Sequence, residues 1–277
     1  MRSINNIFIR WGSIFVLILF SIFSEAQYIH ISHCMSACPR GDSDNDFIVR
    51  HLYAAEINSK NGLPDWVAYR ILPNSIGIAS LLPRRWGQDA LLSEVQPTET
   101  AANPSMLYQL DLSEAQDRDY RINEFLFNTE DRGRLAPMTS FSNTPYWSEL
   151  NYLSNMAPLP SDLRLGSWSR LDQAINELVA TIGPLYVISG PLYESANGLA
   201  VGEEILELPR PTQYFKVIAT PSAYAAFVFS SKLPIHAQYC AQITSIDKIQ
   251  ELSGLKFFPN LEDELTPELY AGLRCKI

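Results

Sequence analysis

The chain reads as apolar blocks separated by polar, proline-bearing stretches. The first block runs from Trp11 to Phe23, 13 predominantly apolar residues, with Arg2 and Arg10 before it and Ser24-Glu25-Ala26 after it. A basic start, an apolar middle and small residues at the end predict a secretory signal peptide over 1–26, cleaved after Ala26. A membrane-spanning helix needs about 20 apolar residues, so an uncleaved anchor is the weaker reading. No later stretch is long enough to span a bilayer.

Beyond the leader, the pattern predicts strands and helices without regular alternation. Residues 64–72, rich in aromatic and β-branched side chains, predict a strand. So do 185–189, ending at Gly190-Pro191, and the runs 214–218 and 225–230. Ser161 is placed to cap a helix whose apolar positions are Leu163, Trp168, Leu171, Ile175, Leu178 and Val179. Gly183-Pro184 stops it. A shorter helix is predicted over 245–253, ahead of Gly254. Residues 92–124 are polar and carry Pro97 and Pro104, which predicts a long surface excursion. Residues 123–128 predict a short strand leading into Asp131-Arg132-Gly133-Arg134. This mixture points to an α+β fold. No internal repeat and no Pro/Gly/Ser linker appears, so 27–277 is expected to form a single domain.

Composition narrows the classes. Of 277 residues, 47% are hydrophobic and 18% charged, too apolar for a disordered chain. The formal charge of −9, from 21 basic and 30 acidic residues, argues against a generic polyanion-binding surface. It leaves a local basic site open. Removing residues 1–26 takes away two basic residues and one acidic residue, leaving 19 against 29 and a charge of −10. Four cysteines, Cys34, Cys38, Cys240 and Cys275, are an even count in a chain expected to be exported, and allow three disulfide pairings. Cys34 and Cys38 can close locally, leaving Cys240 with Cys275. A Cys-x-x-x-Cys pair without nearby His is a weak metal motif.

Several spaced segments occur together. They are Cys34-Met-Ser-Ala-Cys38-Pro39-Arg40-Gly41 with Ile48-Val49-Arg50-His51, then Trp66-Val67-Ala68-Tyr69, then Asp131-Arg132-Gly133-Arg134-Leu135-Ala136-Pro137. Tyr152-Leu153-Ser154-Asn155-Met156 follows, continuing through Leu163, Gly166, Trp168, Arg170 and Leu171. Gly190-Pro191-Leu192-Tyr193, Pro221-Ser222-Ala223-Tyr224 and Pro267-Glu268-Leu269 complete the series. In this order they resemble the secreted Serratia-type DNA/RNA non-specific endonucleases, over almost all of the chain beyond the leader. The resemblance implies a ββα-metal (His-Me finger) fold, a central antiparallel sheet flanked by helices, with the active site on a hairpin and one helix. It supports the Cys34–Cys38 and Cys240–Cys275 pairings. It also implies phosphodiester hydrolysis with one divalent metal, usually magnesium. A neutral imidazole takes the proton of the attacking water, the metal stabilises developing charge, and arginines hold the phosphate.

The departures from the family fall on that chemistry. The family motif Asp-Arg-Gly-His has Arg134 in its last place here. Arginine stays protonated below about pH 12 and cannot serve as general base. Arg164 stands where the resemblance puts the metal-binding Asn, and a guanidinium has no lone pair for a cation. A Gln common in the family is Leu159, the family Glu is Asp172, and a later helix Arg is Asn176. Arg132, Asn155 and Asp172 remain as site candidates, with Arg84 or Arg85 as an upstream phosphate contact. The histidines, His30, His33, His51 and His236, are all distant in sequence from the motif.

Plainer roles stand beside these. Arg134 and Arg164 can be solvated residues of an abandoned site, or two fixed cations that hold a phosphate where one metal sat. Arg132 can pair with Asp172 or Asp131, Asn155 can bridge backbone groups, and Trp168 suits the core better than a substrate platform. Three functions compete: a nucleic-acid binder with hydrolysis impaired or lost, an active magnesium-dependent endonuclease with a variant site, and a pseudoenzyme that binds a protein. Magnesium is the cofactor that the resemblance implies, with no cofactor as the alternative for this chain. A homodimer is one candidate assembly, and the location is outside the cytoplasm, secreted or periplasmic.

Overall fold

Seven antiparallel strands form the central sheet, in the order β1-β2-β3-β6-β7-β8-β9. They are β1 (Asp46–Val49), β2 (Ala54–Ile57), β3 (Pro64–Ile71), β6 (Leu185–Leu192), β7 (Gln213–Thr220), β8 (Ala223–Ser230) and β9 (Ile243–Thr244). A separate two-stranded hairpin pairs β4 (Arg132–Arg134) with β5 (Met156–Pro158). This computed structural model describes residues 31–41, 45–58, 62–87, 89–92, 132–193, 210–258 and 266–276. All belong to one unit, Ile31–Ile277. The leader, the excursion beyond residue 92 and the strand expected at 123–128 lie outside the described residues.

Both faces of the inner strands are covered, which explains why β3, β6, β7 and β8 are largely apolar rather than alternating. On one face Tyr69, Val187, Tyr214, Ile218 and Phe227 meet the helix α2 (Ser169–Ile182) through Leu171, Ala174, Ile175, Leu178 and Val179. On the other, Trp66, Ile188, Phe215 and Val217 meet α3 (Ile246–Ser253) and Leu255 to Phe258. Each large aliphatic side chain buried this way contributes about 1.5–3 kcal/mol. The sheet therefore forms a rigid backing for whatever sits on the α2 side. Disulfides join Cys34 to Cys38 and Cys240 to Cys275.

Three details differ from the sequence expectation. Ser161 is the first residue of the short helix α1 (Ser161–Leu163), and Pro160 takes the cap position. The helix then widens into a π-turn over Arg164–Trp168 before α2 begins. Gly166 departs from helical geometry there (φ −95, ψ −117). A Cβ on Gly166 would stand 2.6 Å from the Ile235 carbonyl oxygen, so the neighbouring chain presses on the helix at this point. Finally, β6 does not end at Gly190-Pro191 but continues to Leu192. Its pairing with β3 stops at Ser189, while Pro191 pairs with Tyr214 of β7. Pro is tolerated because one side of the strand is already open there.

Among the described residues, no helix is long and apolar enough to cross a membrane.

Candidate active site

The hairpin β4–β5 followed by α1, the π-turn and α2 carries the motif residues. In β4 successive side chains alternate sides, so Arg132 and Arg134 share one face and Gly133 turns to the other. A Cβ on Gly133 would lie 2.5 Å from Cβ of Leu159, so glycine is what lets β4 close down on the chain after β5. Arg132 is buried and Arg134 half-buried.

Arg134 is fixed from two sides. Its Nη2 donates to Oδ1 of Asn151 at 2.7 Å, and its guanidinium carbon lies 4.4 Å from the Trp86 ring centroid. Asn151 also donates from Nδ2 to the Pro83 carbonyl at 3.1 Å. The segment containing Arg84, Arg85 and Trp86 is held against 151–153: Gly87 N donates to Asn151 O at 2.9 Å, and Leu153 N to Gly87 O at 3.0 Å. Fold and hydrogen bonding thus bring the upstream arginines to the element that holds Arg134. Arg84 is half-buried and Arg85 exposed. Arg164 is half-buried at the head of the π-turn, its backbone N donating to Pro160 O at 2.8 Å.

Two of the sequence candidates face inward instead. Asn155 is completely buried. Its Oδ1 accepts from Ala136 N at 2.8 Å, and its Nδ2 donates to the carbonyls of Ala136 and Leu150, each at 3.0 Å. The amide is given over to backbone, so Asn155 braces the loop after β4 rather than meeting a substrate. Asp172 is buried and turned into the core. Its carboxylate meets Nζ of Lys216, a lysine with no solvent exposure on β7. That ammonium also lies 3.9 Å from the Trp168 ring centroid. Burial pushes the Asp172 carboxyl up from its ordinary value and the Lys216 ammonium down, and the attraction between them offsets both. Asn176 likewise works internally, accepting from Ser140 Oγ at 2.7 Å. Trp168 lies in the core, against Tyr214 and Phe229.

The residues at the expected metal position do not suit a divalent cation. Arg164 brings a positive charge and no lone pair, the Asn155 oxygen is taken by the Ala136 N–H, and Asp172 is neutralised by Lys216. Among the described residues, no group of three or more His, Cys, Asp or Glu is placed to hold a metal ion. Arg134, where the sequence resemblance expects the general base, supplies a fixed cation and five potential donors but no proton acceptor. What this arrangement can do chemically is hold an anion.

Sequence reasoning passed over three participants. Asn151 and Trp86 lie in ordinary-looking loops and become visible only through Arg134. Lys216 did leave a signal, as the single charge in the otherwise apolar run 214–218. His51, distant from the motif in sequence, is held by Glu149: Nδ1 lies 2.6 Å from Oε1, and the His51 backbone N donates to Oε2 at 2.9 Å. Glu149 and Asn151 share the short 3₁₀ turn Trp147–Asn151. His33 sits nearby with Nε2 at 2.8 Å from the Arg50 carbonyl, His236 is exposed, and His30 and Asp131 lie outside the described residues.

Comparison with known proteins agrees with the geometry. The chain is 33% identical to a nuclease of Serratia marcescens over 260 residues, 91% of this chain and 90% of the relative. It is 26% identical to nuclease C1 of Cunninghamella echinulata var. echinulata over 250 residues, 84% of this chain and 90% of the relative. A chain of the EndoG/EndoGI complex crystal structure superposes with a TM-score of 0.54 at 21% identity, covering 78% of this chain and 86% of that one. That likeness speaks for the fold, the α+β architecture of the ββα-metal nucleases. Residues 35–264 match the family described as DNA/RNA non-specific endonuclease, and the chain belongs to that family.

Proposed function

We propose that this protein is an exported member of the nuclease family that holds nucleic-acid phosphate and has lost most or all metal-dependent hydrolysis. One observation carries the reading: Arg134, which the family resemblance puts in the place of the general base, is locked by Asn151 and Trp86. A guanidinium suits bidentate phosphate recognition, and it cannot take a proton from water. Arg164, which the resemblance puts in the place of the metal-binding Asn, argues the same way. Export rests on the leader pattern of residues 1–26 and implies a secreted or periplasmic location. The overall charge of −9 favours a second reading, a pseudoenzyme that binds a protein, in which these arginines have no phosphate partner.

The test uses the chain after residue 26, with its disulfides formed, incubated with plasmid and with RNA in excess magnesium. The double variant Arg134→His, Arg164→Asn runs beside it. No cleavage by the unmodified chain is expected, with nucleic-acid affinity that falls as salt rises. Rapid cleavage by the unmodified chain would establish an active enzyme with a variant site instead. Absence of any salt-dependent binding would leave the protein-binding reading.

A further inference from the structure

The rings of His51 and Tyr146 stack 3.9 Å apart, centre to centre, and only 3° from parallel. Both remain accessible: the His51 side chain is 60% exposed and Tyr146 is 44% exposed. A pair serving only to fasten one loop to another would gain more by lying beneath the surface, away from water. The imidazole is also held rigidly. One carboxylate, Glu149, grips His51 by ring and backbone together. Glu149 is itself buried, and its carbonyl accepts from the Tyr53 hydroxyl at 3.3 Å. The result is a preorganised flat π surface.

This surface is mechanically joined to Arg134. The turn Trp147–Asn151 supplies both Glu149, which fixes His51, and Asn151, which fixes Arg134 and the chain leading to Arg84 and Arg85. One 3₁₀ turn therefore couples an aromatic surface to a fixed cation, the two elements that single-stranded nucleic-acid sites combine. Nucleobases in a duplex are already stacked on one another, whereas those of a single strand are available to an aromatic side chain.

We propose that His51 and Tyr146 form a base-stacking platform for single-stranded DNA or RNA, fastened to the turn that also fixes Arg134. The platform rests on the phosphate-binding reading above and extends it from the backbone to the base. It recognises the π face that all bases share, so it adds affinity without sequence preference.

The experiment compares a short oligothymidylate with an abasic strand of the same length, carrying the same phosphates, each titrated against the exported chain in the absence of divalent metal. The unmodified protein should bind oligothymidylate about tenfold more tightly than the abasic strand. Tyr146→Ala, which leaves the Glu149 grip on His51 intact, should lose that preference and keep its affinity for the abasic strand. Tyr146→Phe should retain the preference. His51→Ala should behave as Tyr146→Ala. Equal affinity of the unmodified protein for both strands would overturn the platform while leaving phosphate binding in place, as would a preference that survives Tyr146→Ala. Failure to bind either strand would overturn the phosphate reading and the platform with it.

Discussion

The ammonium of Lys216 and the carboxylate of Asp172 meet in the interior, joining strand β7 to α2. Lys216 has no solvent exposure and Asp172 little, so each charge depends on the other. Lys216→Met should leave Asp172 buried without its counter-ion and cost about 3–5 kcal/mol in urea unfolding. Adding Asp172→Leu to Lys216→Met should recover most of that loss, because an apolar pair of similar volume needs no desolvation compensation. If the double variant is as unstable as the sum of the two single variants, the charges are not coupled and this account of the site's backing fails.

Asn155 gives a contrast between a brace and a binding group. Its amide satisfies Ala136 N, Ala136 O and Leu150 O in a site with no solvent. Asn155→Ala should strand all three and destabilise the fold by at least about 3 kcal/mol. Nucleic-acid affinity of the folded fraction should change little. A substrate-facing amide would give the reverse, with stability kept and binding lost, so unfolding and binding measured on one preparation separate the two roles.

Much of the fold was legible because its strands are long and apolar. Residues 64–72, 214–218 and 225–230 announce β3, β7 and β8, and the spacing of Leu171, Ile175 and Leu178 announces α2. Local pattern could not show the π-turn, since the pressure on Gly166 comes from Ile235, distant in sequence. It could not show that β6 runs through Pro191, since that depends on where β3 stops pairing. The same holds for the site. Arg132, Arg134 and Arg164 stand in a motif, but Asn151 and Trp86 have none, and the Lys216 that meets Asp172 is 44 residues away. Residue types show what chemistry is on hand; only long-range packing decides which groups are already committed to the fold.

Arg134 should behave as a phosphate contact under the proposed reading. Arg134→Gln retains a hydrogen-bonding side chain near Asn151 and removes the charge. Affinity for duplex DNA should fall uniformly across sequences, and the slope of log affinity against log salt should shrink by about one. Stability should change by less than about 1 kcal/mol, since the residue is half-buried and its charge is partly screened. An unchanged salt slope would show that this cation does not release counterions from a phosphate, and would favour the protein-binding reading.

His33 supplies a pH dependence whose sign is fixed by its surroundings. Burial lowers its imidazole below the ordinary 6.5, an effect partly offset by the hydrogen bond to the Arg50 carbonyl and by Glu149, and reinforced by His51. The folded state therefore binds this proton less readily than the unfolded chain does. Above 6.5 both states are neutral at this position and stability does not depend on it. Below 6.5 the unfolded chain takes the proton first, so stability falls with pH until the folded imidazole also titrates, by at most about 1.4 kcal/mol per pH unit. Carboxylates dominate the acid dependence below about pH 5, which makes the interval between about 5 and 6.5 diagnostic. His33→Gln keeps a donor for the Arg50 carbonyl and cannot titrate. Its stability should vary less across that interval than that of the unmodified protein, and parallel curves for the two would remove His33 as the source of the slope.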